Sequence, residues 1–249
     1  NMSKRRVRSS FLVFLMLSSV LIALVGPASP VMANNETTSG TITTSETWSG
    51  THQLTGDITI ASGAKLIIQP GTTVIFPNGT YLDVRGNLCA GASSCGSSGD
   101  ASLANKITFR WTEPSNASEI GECKGMKQGT QEIQVEDASC FEGVLIRSSI
   151  DLSETGFRHI TIDDAWGIPY YIDSINRWRY GAMVIDGASP TLNQMRFTNI
   201  NTSSVLTTNL AQPIFEGGTY VAGNDGKSGV GGSAVQIYGS GTQITPLKM

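Results

Sequence analysis

The sequence predicts an all-β chain, a right-handed parallel β-helix wound as a single-stranded solenoid of about 23–24 residues per coil. Three observations carry this. Residues 57–84, DITIASGAKLIIQPGTTVIFPNGTYLDV, repeat every eight positions. Ile58, Leu66, Val74 and Leu82 form one register, Ile60, Ile68, Phe76 and Val84 a second, and Gly63, Gly71 and Gly79 keep the same step. Each unit is a short strand with alternating inward apolar residues closed by a glycine turn. Alone it buries nothing, so it must stack on copies of itself. The second observation is a longer repeat: HITIDDA (159–165) returns 23 residues later as AMVIDGA (182–188), and PTLNQMRF (190–197) as PIFEGGTY (213–220). AMVIDGASPTL also returns from Ala234 as AVQIYGSGTQI, after a gap that the glycine-rich GNDGKSGVGG explains as a bulged-out loop. Third, three eight-residue units make 24, close to the longer step, so one turn of chain holds three short strands. A sandwich has no reason to keep such a period.

GAKLIIQPGTTVIF and the later IDGASPTL…F ladder resemble the secreted right-handed β-helix repeat proteins of the pectate-lyase-like superfold, over roughly Trp48 to the end of the chain. The resemblance implies the fold. It implies no single activity, because that superfold hosts lyases, hydrolases, adhesins and inert surface proteins.

The N-terminus stands outside this pattern. Lys4, Arg5, Arg6 and Arg8 precede an apolar run from Phe11 to Val25, and Val31-Met32-Ala33 fits a small-x-Ala cleavage site. Residues 1–33 therefore read as a secretory signal peptide, which places the mature protein outside the cytoplasm, secreted or on the cell surface. The run is shorter than the roughly 20 residues of a membrane anchor, so membrane contact is expected only through the uncleaved peptide. Its removal takes four of 17 basic residues and none of 20 acidic ones, leaving a net charge of −7. That excludes a nucleic-acid partner, which demands a basic stripe. Polysaccharide or cell-envelope components are the partners that suit an exported acidic solenoid.

Residues 34–47, rich in Thr, Ser and Asn, read as a flexible leader, and the solenoid domain spans 48–249 with Trp48 opening its N-terminal cap. The four cysteines agree with export. They allow three pairings, and spacing favours the local ones, Cys89 with Cys95 around AGASS and Cys123 with Cys140 around a polar loop. A closed loop of about 15 residues contributes about 3 kcal/mol in the chain-entropy model. No CxxC points to a metal instead. Residues 113–139 hold six acids and no strand pattern, and read as an insertion projecting from one face. The last coil stops at Met249 without a cap, and Asn1 precedes Met2, so the chain reads as truncated at its C-terminus. Sequons stand at Asn35, Asn78, Asn116 and Asn201, candidate N-glycosylation sites in a host that modifies exported proteins.

Two constellations carry candidate chemistry. Asp163 and Asp186 end strands one step apart, and stacked with Asn209 at about 4.8 Å they would form an oxygen ladder for Ca²⁺. The resemblance implies that such a face pairs with an arginine taking the substrate proton, here Arg147 or Arg158. Asp-Asp and Asp-Gly are also ordinary turn formers. No Gly-His-Gly of the pectin hydrolases is present, and no catalytic residue is assigned. The other constellation is WGIPYYIDSINRWRY, which gathers Trp166, Tyr170, Tyr171, Trp178 and Tyr180 with Arg177. Flat rings with polar rims suit the apolar faces of sugars, and packing of a loop on the solenoid wall accounts for them equally. The function read from all this is a structural, adhesive or glycan-contacting surface module; the alternative is a lyase or glycoside hydrolase acting on acidic polysaccharide.

Overall fold

The computed structural model describes residues 36–95, 99–112, 141–147, 149–222 and 233–238, with the backbone of 123–124 and 134–135. Residues 1–33, expected to be a signal peptide, lie outside these residues, as do Asn35, Asn116, Cys140 and most of the expected 113–139 insertion. The described residues contain no α-helix; strands recur in sets, three strands in each of the first four and two in the fifth and sixth. The first set is β1 (Gly40–Ile42), β2 (Glu46–Trp48) and β3 (Thr51–Gln53); the second is β4 (Ile58–Ile60), β5 (Lys65–Ile68) and β6 (Thr73–Phe76); the third is β7 (Thr80–Val84), β8 (Asn87–Ala90) and β9 (Ile107–Trp111). An antiparallel pair, β10 (Cys123–Lys124) and β11 (Gln134–Val135), falls within the insertion. The fourth set is β12 (Phe141–Arg147), β13 (Gly156–Arg158) and β14 (Ile160–Asp163). After β15 (Ile168–Ile172), β16 (Arg177–Asp186) and β17 (Thr191–Thr198) make the fifth, β18 (Ser203–Thr208) and β19 (Ile214–Thr219) the sixth, and β20 (Val235–Ile237) starts a seventh.

Each set pairs in parallel with the next. Sheet A collects the first strands in the order β1-β4-β7-β12-β16-β18-β20. Sheet B runs along the second strands β2-β5-β8-β13 and returns along the third, β14-β9-β6-β3, the two arms joined by β17. That strand is long enough to serve both, with Leu192 opposite Phe157 and Phe197 opposite Ile162. The arithmetic of the sequence is visible in the register. Ile58 faces Leu82 and Ile60 faces Val84, a step of three eight-residue units, while Gly63, Gly71 and Gly79 turn the chain at φ of +83°, +84° and +64°. Leu192 faces Phe215, the 23-residue step. Met183, Val205 and Val235 are in register across two further steps.

One apolar core is lined by alternate residues of both sheets. Its rows run along the repeats: Leu82, Val144, Met183 and Val205 in sheet A, and Val74, Phe109, Ile162 and Phe197 in the returning arm of sheet B. A second, smaller apolar cluster, with Leu145, Val184 and Leu206, lies on the outer face of sheet A.

Two expectations are corrected here. HITIDDA and AMVIDGA are not equivalent. Ile160–Asp163 is the third strand of its set in sheet B, whereas Met183–Asp186 is a first strand in sheet A. After Arg158 a single residue, His159 at φ +49°, turns the chain, so β13 and β14 are separate strands of one repeat. Their likeness is that of any short buried strand ending in a turn-forming aspartate. The leader is also shorter than the composition suggested, because 40–48 form two strands. β1 adds to the edge of β4, and the Thr-rich backbone presents Ile42 and Trp48 inward. Trp48 is part of the core rather than a lid over it. It stacks on His52 at 4.1 Å, and His52 lies within 2.6 Å of Glu36 Oε2 and 3.0 Å of the Thr37 carbonyl, so residues 36–37 close that end.

Candidate functional site on the outer face of sheet A

The two constellations meet on the outer face of sheet A. Between β15 and β16 the chain turns through Asp173–Ile175, with Asn176 at φ +53°, and the strands pair antiparallel as a hairpin. Opposed residues of an antiparallel pair share a side, so the register sorts the side chains. Ile168, Tyr170 and Ile172 turn to the wall and cover Leu145, Val184 and Leu206, which are neighbours in register on adjacent strands of sheet A. Tyr171 opposite Trp178, and Pro169 opposite Tyr180, share the other side. There the Tyr171 and Trp178 rings meet edge-on at 5.3 Å, and Trp166 meets Tyr180 at 5.0 Å.

Tyr171 and Trp178 are half-buried and Arg177 is exposed, so these three remain available to a partner, while Tyr180 is half-buried against Trp166. Trp166 and Tyr170 do not; both are buried, so of the two readings of these rings packing on the wall holds for them and their place as sugar contacts is corrected. A hairpin laid on a wall has two faces, and one is consumed in covering the apolar strip. Arg179 reaches past β18 to the residue following β20, its Nε donating a hydrogen bond to Tyr238 Oη at 2.7 Å with the guanidinium 5.5 Å from that ring.

Asp186 lies at the root of the hairpin. Tyr170 Oη donates to its Oδ2 at 2.6 Å, Asn209 Nδ2 to its Oδ1 at 2.5 Å, and Arg147 Nη1 stands 3.5 Å from Oδ2. Burial and this carboxylate push the Tyr170 hydroxyl up. Arg147 also donates through Nε to Asp83 Oδ1 at 3.1 Å, and Arg85 to Asp83 Oδ2 at 2.8 Å. Asp83 is 1 % exposed, so the two arginines are what make its burial tolerable. Arg147→Met is expected to cost about 2 kcal/mol, below the roughly 3–5 kcal/mol of a fully broken buried pair because Arg85 still reaches Asp83. Urea midpoints of the variant and of Arg85→Met measure the share of each.

Asp163 belongs elsewhere. On sheet B its Oδ1 accepts from Thr198 Oγ1 at 2.6 Å and Asn199 Nδ2 at 3.0 Å, so the Asp163–Asp186–Asn209 ladder does not form; only its Asp186–Asn209 half does. Among the described residues no group of three or more His, Cys, Asp or Glu could hold a metal ion. Arg158 is bonded to the Ala101 carbonyl at 3.3 Å on the other sheet, leaving Arg147 as the arginine beside a candidate carboxylate. Cys89 and Cys95 form a disulfide, with Cα atoms 5.8 Å apart; Cys123 is described only as backbone in β10, so the Cys123–Cys140 pairing lies outside the described residues. Asn78 is exposed and accepts from Trp111 Nε1 at 2.5 Å, while Asn201 is half-buried and followed by the buried Thr202 and Ser203.

Sequence reasoning missed Glu142. It occupies a β-bulge: Phe141 faces Thr80 and Gly143 faces Tyr81, with Glu142 the extra residue between them. Gly143 sits at φ +138°, and a Cβ there would collide with the Ala182 carbonyl, so only glycine permits this bulge. Glu142 is 3 % exposed and, among the described residues, neither carboxyl oxygen has a hydrogen-bond partner. Burial, and then the nearby Asp57, push its carboxyl up to about 9. Burial likewise raises Asp57, whose Oδ1 accepts from the Tyr81 backbone N–H at 3.2 Å. The available signal was the sequence Phe-Glu-Gly-Val, an acid and a glycine interrupting an alternating strand.

Compared with known proteins, the chain matches no family model, no curated protein and no solved structure.

Proposed function

We propose that this chain is an exported right-handed parallel β-helix of the cell surface or medium that holds polysaccharide against the outward side of its β15–β16 hairpin. The observation that carries the reading is the cross-strand Tyr171–Trp178 pair, half-open to solvent beside the exposed Arg177 and Asp173, on a hairpin fixed to a rigid sheet. Rings held edge-on at the surface offer flat apolar faces at little entropic cost, and the charged rim supplies hydrogen bonds to hydroxyl or carboxylate groups of a sugar chain. Three strands in each of the first four repeats, parallel pairing between successive repeats and the pectate-lyase-like sequence pattern support the closed solenoid. The basic and apolar N-terminal segment and the disulfide support export.

The test uses residues 34–249 with a panel of neutral and acidic polysaccharides, with and without Ca²⁺. Retention of one class is expected, weakened about tenfold or more by Trp178→Ala, since loss of one stacking face is worth about 1.4 kcal/mol. Retention unaffected by that change sinks the aromatic reading. A second reading, cleavage of an acidic polysaccharide, draws on Asp83, Arg147 and Asp186 meeting on one outer face, acid and base groups that elimination or hydrolysis requires. Shortened sugar chains in the same incubations, lost in Asp186→Asn and restored by no amount of Ca²⁺, are its signature.

A further inference from the structure

We propose that the β15–β16 hairpin is a proton-latched strap: neutral Glu142 lets it lie closed on sheet A, and loss of that proton lifts its root away. The geometry is specific. Glu142 is thrust outward by the bulge and lies under the segment entering the hairpin, where Trp166 N–H donates to the Phe141 carbonyl at 2.8 Å and Gly167 N–H to the Glu142 carbonyl at 3.0 Å. Gly167, at φ +119°, has no room for a Cβ because Thr202 Oγ1 fills the place. The strap is therefore pressed onto the strand that carries the orphaned carboxyl.

The charged and titratable groups packed around Glu142 explain why it cannot ionise in place. Asp57, before β4, is a second acid that burial raises and that no cation pairs among the described residues, and β7 contributes Tyr81 and Asp83. The one nearby cation of β12, Arg147, is already engaged by Asp83 and by Asp186 of β16, and Tyr170 of the strap is bonded to Asp186. An anion formed at Glu142 meets negative charge and apolar surface, with no donor hydrogen-bonded to either oxygen among the described residues, and its cheapest relief is water admitted by lifting residues 165–172. What that uncovers is the apolar strip Leu145, Val184 and Leu206.

Hydrogen exchange of the peptide spanning 165–180, corrected for the intrinsic pH dependence of exchange, reads the strap directly. Above an onset between pH 4.5 and about 9, protection in β15 is expected to fall about tenfold per pH unit, because each unit shifts the neutral-to-ionised ratio tenfold, while protection in β17 holds. Glu142→Gln keeps the shape and abolishes the fall; if that variant does not fold, Glu142→Met is read the same way. A wild-type strap that stays protected to pH 9.5, or an equal fall in the uncharged variants, overturns the proposal. Coupling of the strap to sugar binding rests on the glycan reading above. A strap that opens without any change in polysaccharide retention sinks that reading and leaves this one standing.

Discussion

Between pH 5 and 8 the wild-type protein is expected to lose stability steadily while Glu142→Gln stays nearly level. The folded state holds a proton on Glu142 that the unfolded chain releases above the ordinary value of 4.5, and keeps it until about 9. Across that window the unfolded state binds fewer protons, so stability falls as pH rises. Below 4.5 both states are protonated and the full stability is present. The slope for one such group is about 1.4 kcal/mol per pH unit, so three units remove at most about 4 kcal/mol. If the strap lifts within the window, the loss levels off at the free energy needed to lift it, because the ionised carboxyl is then hydrated and no longer penalised. Thermal midpoints at three pH values check this; for a domain of about 200 residues, 4 kcal/mol is a shift of about 8–16 °C. The comparison must be variant against wild type, since Asp57 is raised by burial and contributes in the same direction. Parallel curves for the two proteins would show that Glu142 is ionised or solvated in the folded state.

Phe76→Ala is expected to cost about 3–5 kcal/mol at any pH. Phe76 is fully buried at the end of β6, stacked on Phe141 at 3.9 Å and edge-on to Phe109 at 5.7 Å. These three rings belong to successive repeats on both sheets, so the hole left by the side chain cannot be closed by one strand moving inward. Phe76→Leu keeps most of the volume and is expected to lose about 1.5 kcal/mol. In parallel sheets built of stacked repeats each repeat is held mainly by its neighbours, so a lesion here also tests cooperativity. A urea transition that moves to lower midpoint with unchanged slope means the repeats still unfold together; a shallower one means the chain has split at Phe76 into two units.

The inner face of this protein was legible because its period is local. Ile58, Ile60, Leu66, Ile68, Val74 and Phe76 alternate within their own strands, and the glycine turns between them need only a positive φ, so eight-residue spacing sufficed to place them inside and to forecast Ile58 against Leu82. Register at longer range was partly legible: Leu192 met Phe215 as the 23-residue step required, while Ile160–Asp163 was matched to the wrong strand because one residue, His159, makes a corner that carries no spacing signal.

The outer face was decided by the fold. Asp83 is buried with two arginines on it, one of them from a strand 64 residues further on, and Tyr170 is buried because its hairpin folds back over sheet A. Asp186 was singled out from sequence, yet its partners Tyr170 and Arg147 come from different strands. Glu142 gave almost no signal, since its burial requires a bulge, a glycine without room for a side chain, and the strap above it. Inward positions follow from near-neighbour periodicity, which the chain states itself. The environment of a charge depends on what covers it, and only the packing of distant segments supplies that cover.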